Sequence, residues 1–160
     1  ELNIYLGNYI AGDTPLLRFE ERRGSWFVRD HKLDRARVAV DAERWKAIEP
    51  LLKGPPNISV AVPDVEFDDY APYGITDDSF SIEIRSTAVA SSGLKFNEGL
   101  IFIIGSLTPD QRWYYAKTTG TSIGKPVLLL DAEWTDTLLA LYDDIPYGED
   151  PIRIISTEAP

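Results

Sequence analysis

The sequence predicts an α+β fold in which two β-rich repeats, each with one helix, pack about a pseudo-two-fold axis into one globule. Three observations carry this expectation. First, a strand-to-helix junction is written twice, as Ala39-Val40-Asp41-Ala42-Glu43 with Trp45 and as Leu129-Leu130-Asp131-Ala132-Glu133 with Trp134. Second, the apolar stripe behind each junction recurs: counting from the Asp, position +7 is Ile48 or Leu138, +10 is Leu51 or Leu141, and +11 is Leu52 or Tyr142. Third, the flanks match, with an aromatic strand upstream (Trp26-Phe27-Val28; Trp113-Tyr114-Tyr115) and a Pro-led strand downstream (Ile58 to Val62; Ile152 to Ile155). Repetition on this scale constrains architecture before any motif is considered. The expected organisation is one domain over residues 1–160, with repeat one over 1–62, a connector over 63–79 and repeat two over 80–160.

Repeat one opens with the alternating strand Leu2-Asn3-Ile4-Tyr5-Leu6, closed by Gly7. Leu16 to Glu21 and Ser25 to Asp30 then flank Arg22-Arg23-Gly24, a short Gly-containing link that reads as a hairpin. Arg37 to Val40 is a further strand ending at Asp41, whose carboxylate can cap the free amides of a first helical turn, with Glu43 adding favourable charge there. Trp45, Ile48, Leu51 and Leu52 form the buried stripe of that helix, and Lys53-Gly54-Pro55-Pro56 stops it. Pro50 removes an amide and clashes with the preceding turn, so a kink or an early end is expected near Glu49. Repeat two is expected to follow the same order, through Phe80 to Arg85, Leu100 to Ser106, Arg112 to Thr118, Pro126 to Leu130, a helix from Asp131 to about Tyr142, and Ile152 to Ser156.

Composition narrows the function. The formal net charge is −10, from 26 acidic against 16 basic residues, a field that repels phosphate backbones and anionic lipid and attracts a basic partner. There is no Cys, which removes disulfides, thiolate nucleophiles and cysteine metal sites. Met is absent even at position 1, so something was removed from the front, either a secretory signal peptide or an artificially chosen boundary or tag; of the two, export, and hence a periplasmic or secreted location, is the expectation. The longest apolar run, Leu100 to Leu107, is broken by Gly105 and Ser106 and is too short to span a bilayer.

Few residues can carry catalysis. His31 is the only histidine, and no Gly-x-Ser-x-Gly elbow accompanies it, so a Ser-His-Asp mechanism has no support. A carboxylate pair could include Glu83 and Glu98, although Glu83 with Arg85 fits equally the polar face of a strand whose other face is Ile82 and Ile84. Asp64-x-Glu66-x-Asp68 resembles the opening of a calcium loop, but Asp69 stands where an EF-hand needs Gly and Ile75 where it needs the closing Glu. Gly120 to Lys125 lacks phosphate-loop spacing and is followed by Pro126 in place of Ser or Thr. No cofactor and no metal are expected.

The connector is the most distinctive segment. Pro63 to Ser79 carries Asp64, Glu66, Asp68, Asp69, Asp77 and Asp78 with Phe67, Tyr70 and Tyr73, and no Lys or Arg occurs between Gly54 and Phe80. So many carboxylates cannot be buried without cations, so the segment is expected to be exposed. The expectation is a non-catalytic binding protein, an exported bacterial immunity protein or inhibitor, engaging a basic protein partner such as a toxin or hydrolase. Its partner-binding residues are expected to be Glu66, Asp68, Asp69, Tyr70, Tyr73, Asp77 and Asp78. The alternative is a carbohydrate-directed protein, using Trp26 or Trp113 as a sugar platform or the carboxylate pair as a glycosidase.

Overall fold

The structure, a computed structural model, describes residues 1–7, 14–89, 91–119 and 124–148. It is an α+β fold with a single antiparallel sheet. The strands are β1 (Leu2–Leu6), β2 (Leu17–Arg22), β3 (Ser25–Asp30), β4 (Val38–Ala39), β5 (Ser59–Val62), β6 (Phe80–Val89), β7 (Lys95–Leu107), β8 (Trp113–Thr118) and β9 (Val127–Asp131), and the helices are α1 (Ala42–Ile48) and α2 (Ala132–Leu139). Along the sheet the order is β4-β3-β2-β1-β6-β7-β8-β9-β5. The expected last strand, Ile152 to Ile155, lies outside the described residues.

Local sequence explains the elements. Arg23 and Gly24 both take positive φ, 54° and 80°, as a two-residue hairpin turn between right-twisted strands requires. Each helix is capped by the expected Asp: an Asp41 carboxylate oxygen accepts from the Arg44 N–H at 3.0 Å, and one of Asp131 from the Trp134 N–H at 2.9 Å. Pro50 acts as its chemistry demands, since α1 ends at Ile48 and the chain continues as a 3-10 turn over Glu49–Lys53. α2 likewise tightens into a 3-10 turn over Ala140–Tyr142. β6 and β7 run well past their expected ends, because the register from Ser81 opposite Ile103 to Val89 opposite Lys95 is unbroken.

One face of the sheet carries the core. Trp45, Ile48, Trp134, Leu138 and Leu141 pack onto Leu2, Ile4, Phe19, Val28, Ile82, Phe102 and Leu130. Trp45 stacks on Phe19 with ring centroids 4.9 Å apart, and Trp134 meets Phe102 edge-on at 5.9 Å. Trp26 is half-buried against Trp45 at 5.0 Å. Trp113 is also half-buried, so neither indole is a free platform.

The opposite face is polar at its centre. Glu83, which the strand pattern placed on a polar, solvated face, is only 4% exposed. One of its carboxylate oxygens accepts from Asn3 Nδ2 at 2.8 Å and from the Tyr5 hydroxyl at 3.0 Å. A carboxylate this buried persists because its lone pairs are satisfied. In the β6–β7 register Glu98 stands opposite Ser86 and Gly99 opposite Arg85. Side chains alternate along a strand, so Glu98 points to the other face from Glu83 and the two form no carboxylate pair.

His31 lies just beyond β3 with its Nε2 buried and without a hydrogen-bond partner. Burial pushes its pKa down, reinforced by Arg29 and Arg18 and opposed by Asp30 and Asp34. With the folded value below the unfolded one, near 6.5, the unfolded chain takes up the proton first as pH falls. The contribution of His31 to stability is therefore complete above about pH 6.5 and is lost as the solution is acidified below it. Urea titrations from pH 7 to pH 5 should show a shallower loss for His31→Gln than for the parent; equal slopes would contradict this account.

Candidate functional site

Residues 63–79 leave β5 at one end of the sheet and enter β6 at its centre, crossing the face opposite the helices. The crossing is pinned at several points. Val65 is buried and its N–H donates to the Lys125 carbonyl at 2.9 Å, while the Lys125 N–H donates to Asp64 Oδ1 at 2.9 Å. Tyr73 packs edge-on against Tyr115 of β8 at 5.3 Å. Ile75 is buried, and the backbone at Gly74 takes φ 70°, close against Ser106. Gly105 of β7 makes the crossing possible, since a Cβ there would lie 2.3 Å from the Tyr73 carbonyl oxygen and 2.7 Å from Ile75 Cγ1. Gly7 then donates to the Ser79 carbonyl at 3.2 Å, fixing the exit.

On this support the acids stay in solvent. Glu66, Asp68, Asp69, Asp77 and Asp78 are exposed, whereas Tyr70 and Tyr73 are half-buried. The structure brings Asp68, Asp69, Tyr70 and Asp77 to the rim of one cavity of about 430 Å³, with Lys117 and Ile103 below. Asp78 instead borders a second depression with Phe80 and Tyr114, and Tyr73 faces inward to Tyr115. The expected contact residues are therefore divided between two places.

Two cations reach this segment from the second half of the chain. Lys125 Nζ lies 2.6 Å from Asp68 Oδ1, and this carboxylate raises the lysine pKa. Lys117 Nζ sits 4.4 Å from the centre of the Tyr70 ring. Burial raises the Tyr70 pKa, and Asp68 adds to the effect. Both lysines contact the surface without neutralising it, since Asp69, Asp77 and Asp78 form no salt bridge among the described residues. Asp64 and Asp68 serve Lys125 here, and among the described residues no three His, Asp or Glu side chains converge as metal ligands.

Phe67 is the residue that composition did not single out as a contact. It is 95% exposed and its backbone takes φ 55°, followed by Asp68 at 56°. A bulky residue in the left-handed region costs of order 1 kcal/mol or more, and a fully exposed phenyl ring adds an unfavourable hydration term. The sequence signal was only an aromatic ring amid acids.

No helix among the described residues is long and apolar enough to cross a membrane. Comparison of the chain with protein-family models, with curated proteins and with solved structures gave no match. The functional reading therefore rests on the geometry of the 63–79 crossing.

Proposed function

We propose that this is a non-catalytic binding protein that holds a basic protein partner on the 63–79 surface, in the manner of an immunity protein or inhibitor of a toxin or hydrolase. The observation that carries the reading is Phe67, a fully exposed ring on a strained backbone, in the same segment as Asp69 and Asp77, which form no salt bridge among the described residues. Strain and exposed apolar area are tolerated where a partner covers them. The acids steer a basic surface into place, while Phe67 and Tyr70 offer rigid contact area. A net charge of −10 acts in the same direction at long range. A bacterial, exported protein working in the periplasm or outside the cell fits this role.

The two halves of the chain are, in this reading, products of a duplication. What supports it is the order of the sheet, in which β4-β3-β2-β1 on one side of the centre is mirrored by β6-β7-β8-β9 on the other. The matched Asp caps and the Trp–Phe contacts Trp45–Phe19 and Trp134–Phe102 support it too. The halves also exchange segments: β5 of the first pairs with β9 of the second, while Tyr147 of the second forms a bridge with Val40 of the first. A chain joining two copies of residues 80–160 is expected to fold cooperatively as a monomer, and a molten or aggregated product would count against a common ancestor of the halves.

The test of function begins with affinity capture from the source organism, using the parent domain and a variant with Asp68, Asp69 and Tyr70 replaced by Ala. A basic protein retained by the parent and lost by the variant is the expected result. The same proteins on both columns would remove the 63–79 surface from the account.

A further inference from the structure

The two edges of the sheet differ. β4 is two residues long, and its outer side is partly closed by the chain itself, through the bridge between Val40 and Tyr147 and the Gly148 N–H that donates to the Ala39 carbonyl at 2.9 Å. β5 ends the sheet on the other side and pairs only with β9 among the described residues. Ile58 and Val60 are 47% and 56% exposed, and Ser59 and Ala61 are exposed as well. Natural edge strands are commonly blunted by charged side chains, yet no ionisable residue occurs from Gly54 to Pro63. In a chain of net charge −10, this edge is uncharged and apolar.

The ladder fixes which backbone groups of β5 face outward. The Ala132 N–H donates to the Arg112 carbonyl at 3.1 Å, and Trp113 stands opposite Asp131, so Ala132 and Arg112 form a hydrogen-bonded pair at the end of the β8–β9 ladder. The Trp113 carbonyl is taken on the β7 side instead, by the Thr108 N–H at 2.8 Å. Alternation then turns Leu130 and Leu128 toward β8 and Leu129 toward β5. Ser59, opposite Leu129, directs its N–H and C=O inward, and Ile58 and Val60 direct theirs out of the sheet. The register shift between Val60 and Val62 disturbs the strand only beyond this point.

We propose that β5 of two copies of this chain pairs antiparallel across a two-fold axis at Ser59, joining their sheets into one. In that register Ile58 of each copy faces Val60 of the other, and every outward N–H and C=O of these residues finds a partner. Ser59 meets its own copy in the closer, non-hydrogen-bonded position, where a small side chain fits. Ile58 and Val60 lie on one face of the strand, so these side chains of both copies form a single apolar row. The flanking charges permit the approach: the first ionisable residues on either side are Lys53 and Asp64, and antiparallel pairing sets the Lys53 end of one copy beside the Asp64 end of the other. This match of the edge to itself, in register and in flanking charge, singles out a second copy as the occupant. The edge shares no residue with the 63–79 surface and stands independently of the function proposed for it.

An interface limited to one strand edge falls at the small end of the size range, below about 1,200 Å², so the dimer is expected to form and dissociate with concentration. Sedimentation of the 160-residue chain over a wide range of concentration should show a monomer–dimer equilibrium. Val60→Lys, at an exposed position, should leave the melting temperature unaltered and weaken the dimer by about tenfold or more. Hydrogen exchange at the Ile58 and Val60 amides should slow as concentration rises, while the Ser59 amide, directed to β9, exchanges at one rate throughout. The chain has no Cys, so Ser59→Cys places a single thiol on the axis. Under mild oxidation this variant should form a disulfide-linked dimer about tenfold or more faster than Ala61→Cys, whose thiols the register holds apart. A chain that stays monomeric, Ile58 and Val60 amides that exchange freely at every concentration, or equal rates for the two cysteine variants would each overturn the proposal and leave this edge to a different protein.

Discussion

Replacing Trp134 by Ala is expected to destabilise the fold by about 3–5 kcal/mol, the range for deleting a large buried aromatic. The ring is 2% exposed, meets Phe102 edge-on, and donates from Nε1 to the Leu51 carbonyl at 2.9 Å. That last bond ties α2 to the 3-10 turn that ends the first helix region, and truncation removes it while the Leu51 carbonyl keeps its second donor, the Gly54 N–H at 3.2 Å. In a domain of this size the melting temperature should fall by roughly 6–20 °C. Trp45 offers an internal comparison, because it is equally buried yet its Nε1 has no hydrogen-bond partner among the described residues. Trp45→Phe should therefore cost less than Trp134→Phe, since only the second removes a made hydrogen bond. Thermal melts of the three variants check both statements, and a Trp134→Ala protein that melts like the parent would place that indole outside the core.

The second large effect is expected at Gly105. Gly105→Ala puts a methyl group against two backbone oxygens, those of Tyr73 and Tyr115 at 2.3 and 3.1 Å, and against Ile75. Backbone cannot swing aside as a side chain can, so either the crossing lifts from the sheet or β7 distorts, at a cost of about 1–3 kcal/mol. Hydrogen exchange at the Val65 and Gly74 amides should accelerate while that of the β1–β6 ladder is unchanged. Gly99→Ala, on the same strand and face, is the control: its methyl would meet only Arg85 and Glu83 side-chain atoms at 3.9 Å and should be nearly neutral. Protection unaltered in Gly105→Ala would mean that Gly105 does not support the crossing.

Local rules made much of this fold legible. The Asp caps, the Pro50 switch, the Arg23-Gly24 turn and the helix stripes depend on neighbours within a few residues, and each falls where propensity and hydrogen-bond chemistry place it. Non-local pairing was not legible. Nothing in Ser59 to Val62 distinguishes an edge beside β4 from one beside β9, because an alternating strand fits either. The burial of Glu83 was missed for a related reason: its partners Asn3 and Tyr5 come from β1, and only the β1–β6 register brings them opposite. At the 63–79 surface the exposed acids could be read from their number alone. The lysines that contact them, and the division of Asp77 from Asp78, required the path of the crossing over β7 and β8.

The measurement that bears most directly on the 63–79 surface is the affinity of a captured partner for the parent and for the variant with Asp68, Asp69 and Tyr70 replaced by Ala, at two salt concentrations. Asp68 and Asp69 are exposed and Tyr70 is half-buried at the rim of the crossing, outside the hydrophobic core, so the variant should melt close to the parent. Affinity is expected to fall by about tenfold or more, and the salt dependence of the association rate to weaken with it, because the carboxylates that steer a basic partner have been removed. Affinity and salt dependence that both match the parent would contradict the proposed function and leave the segment as a connector alone.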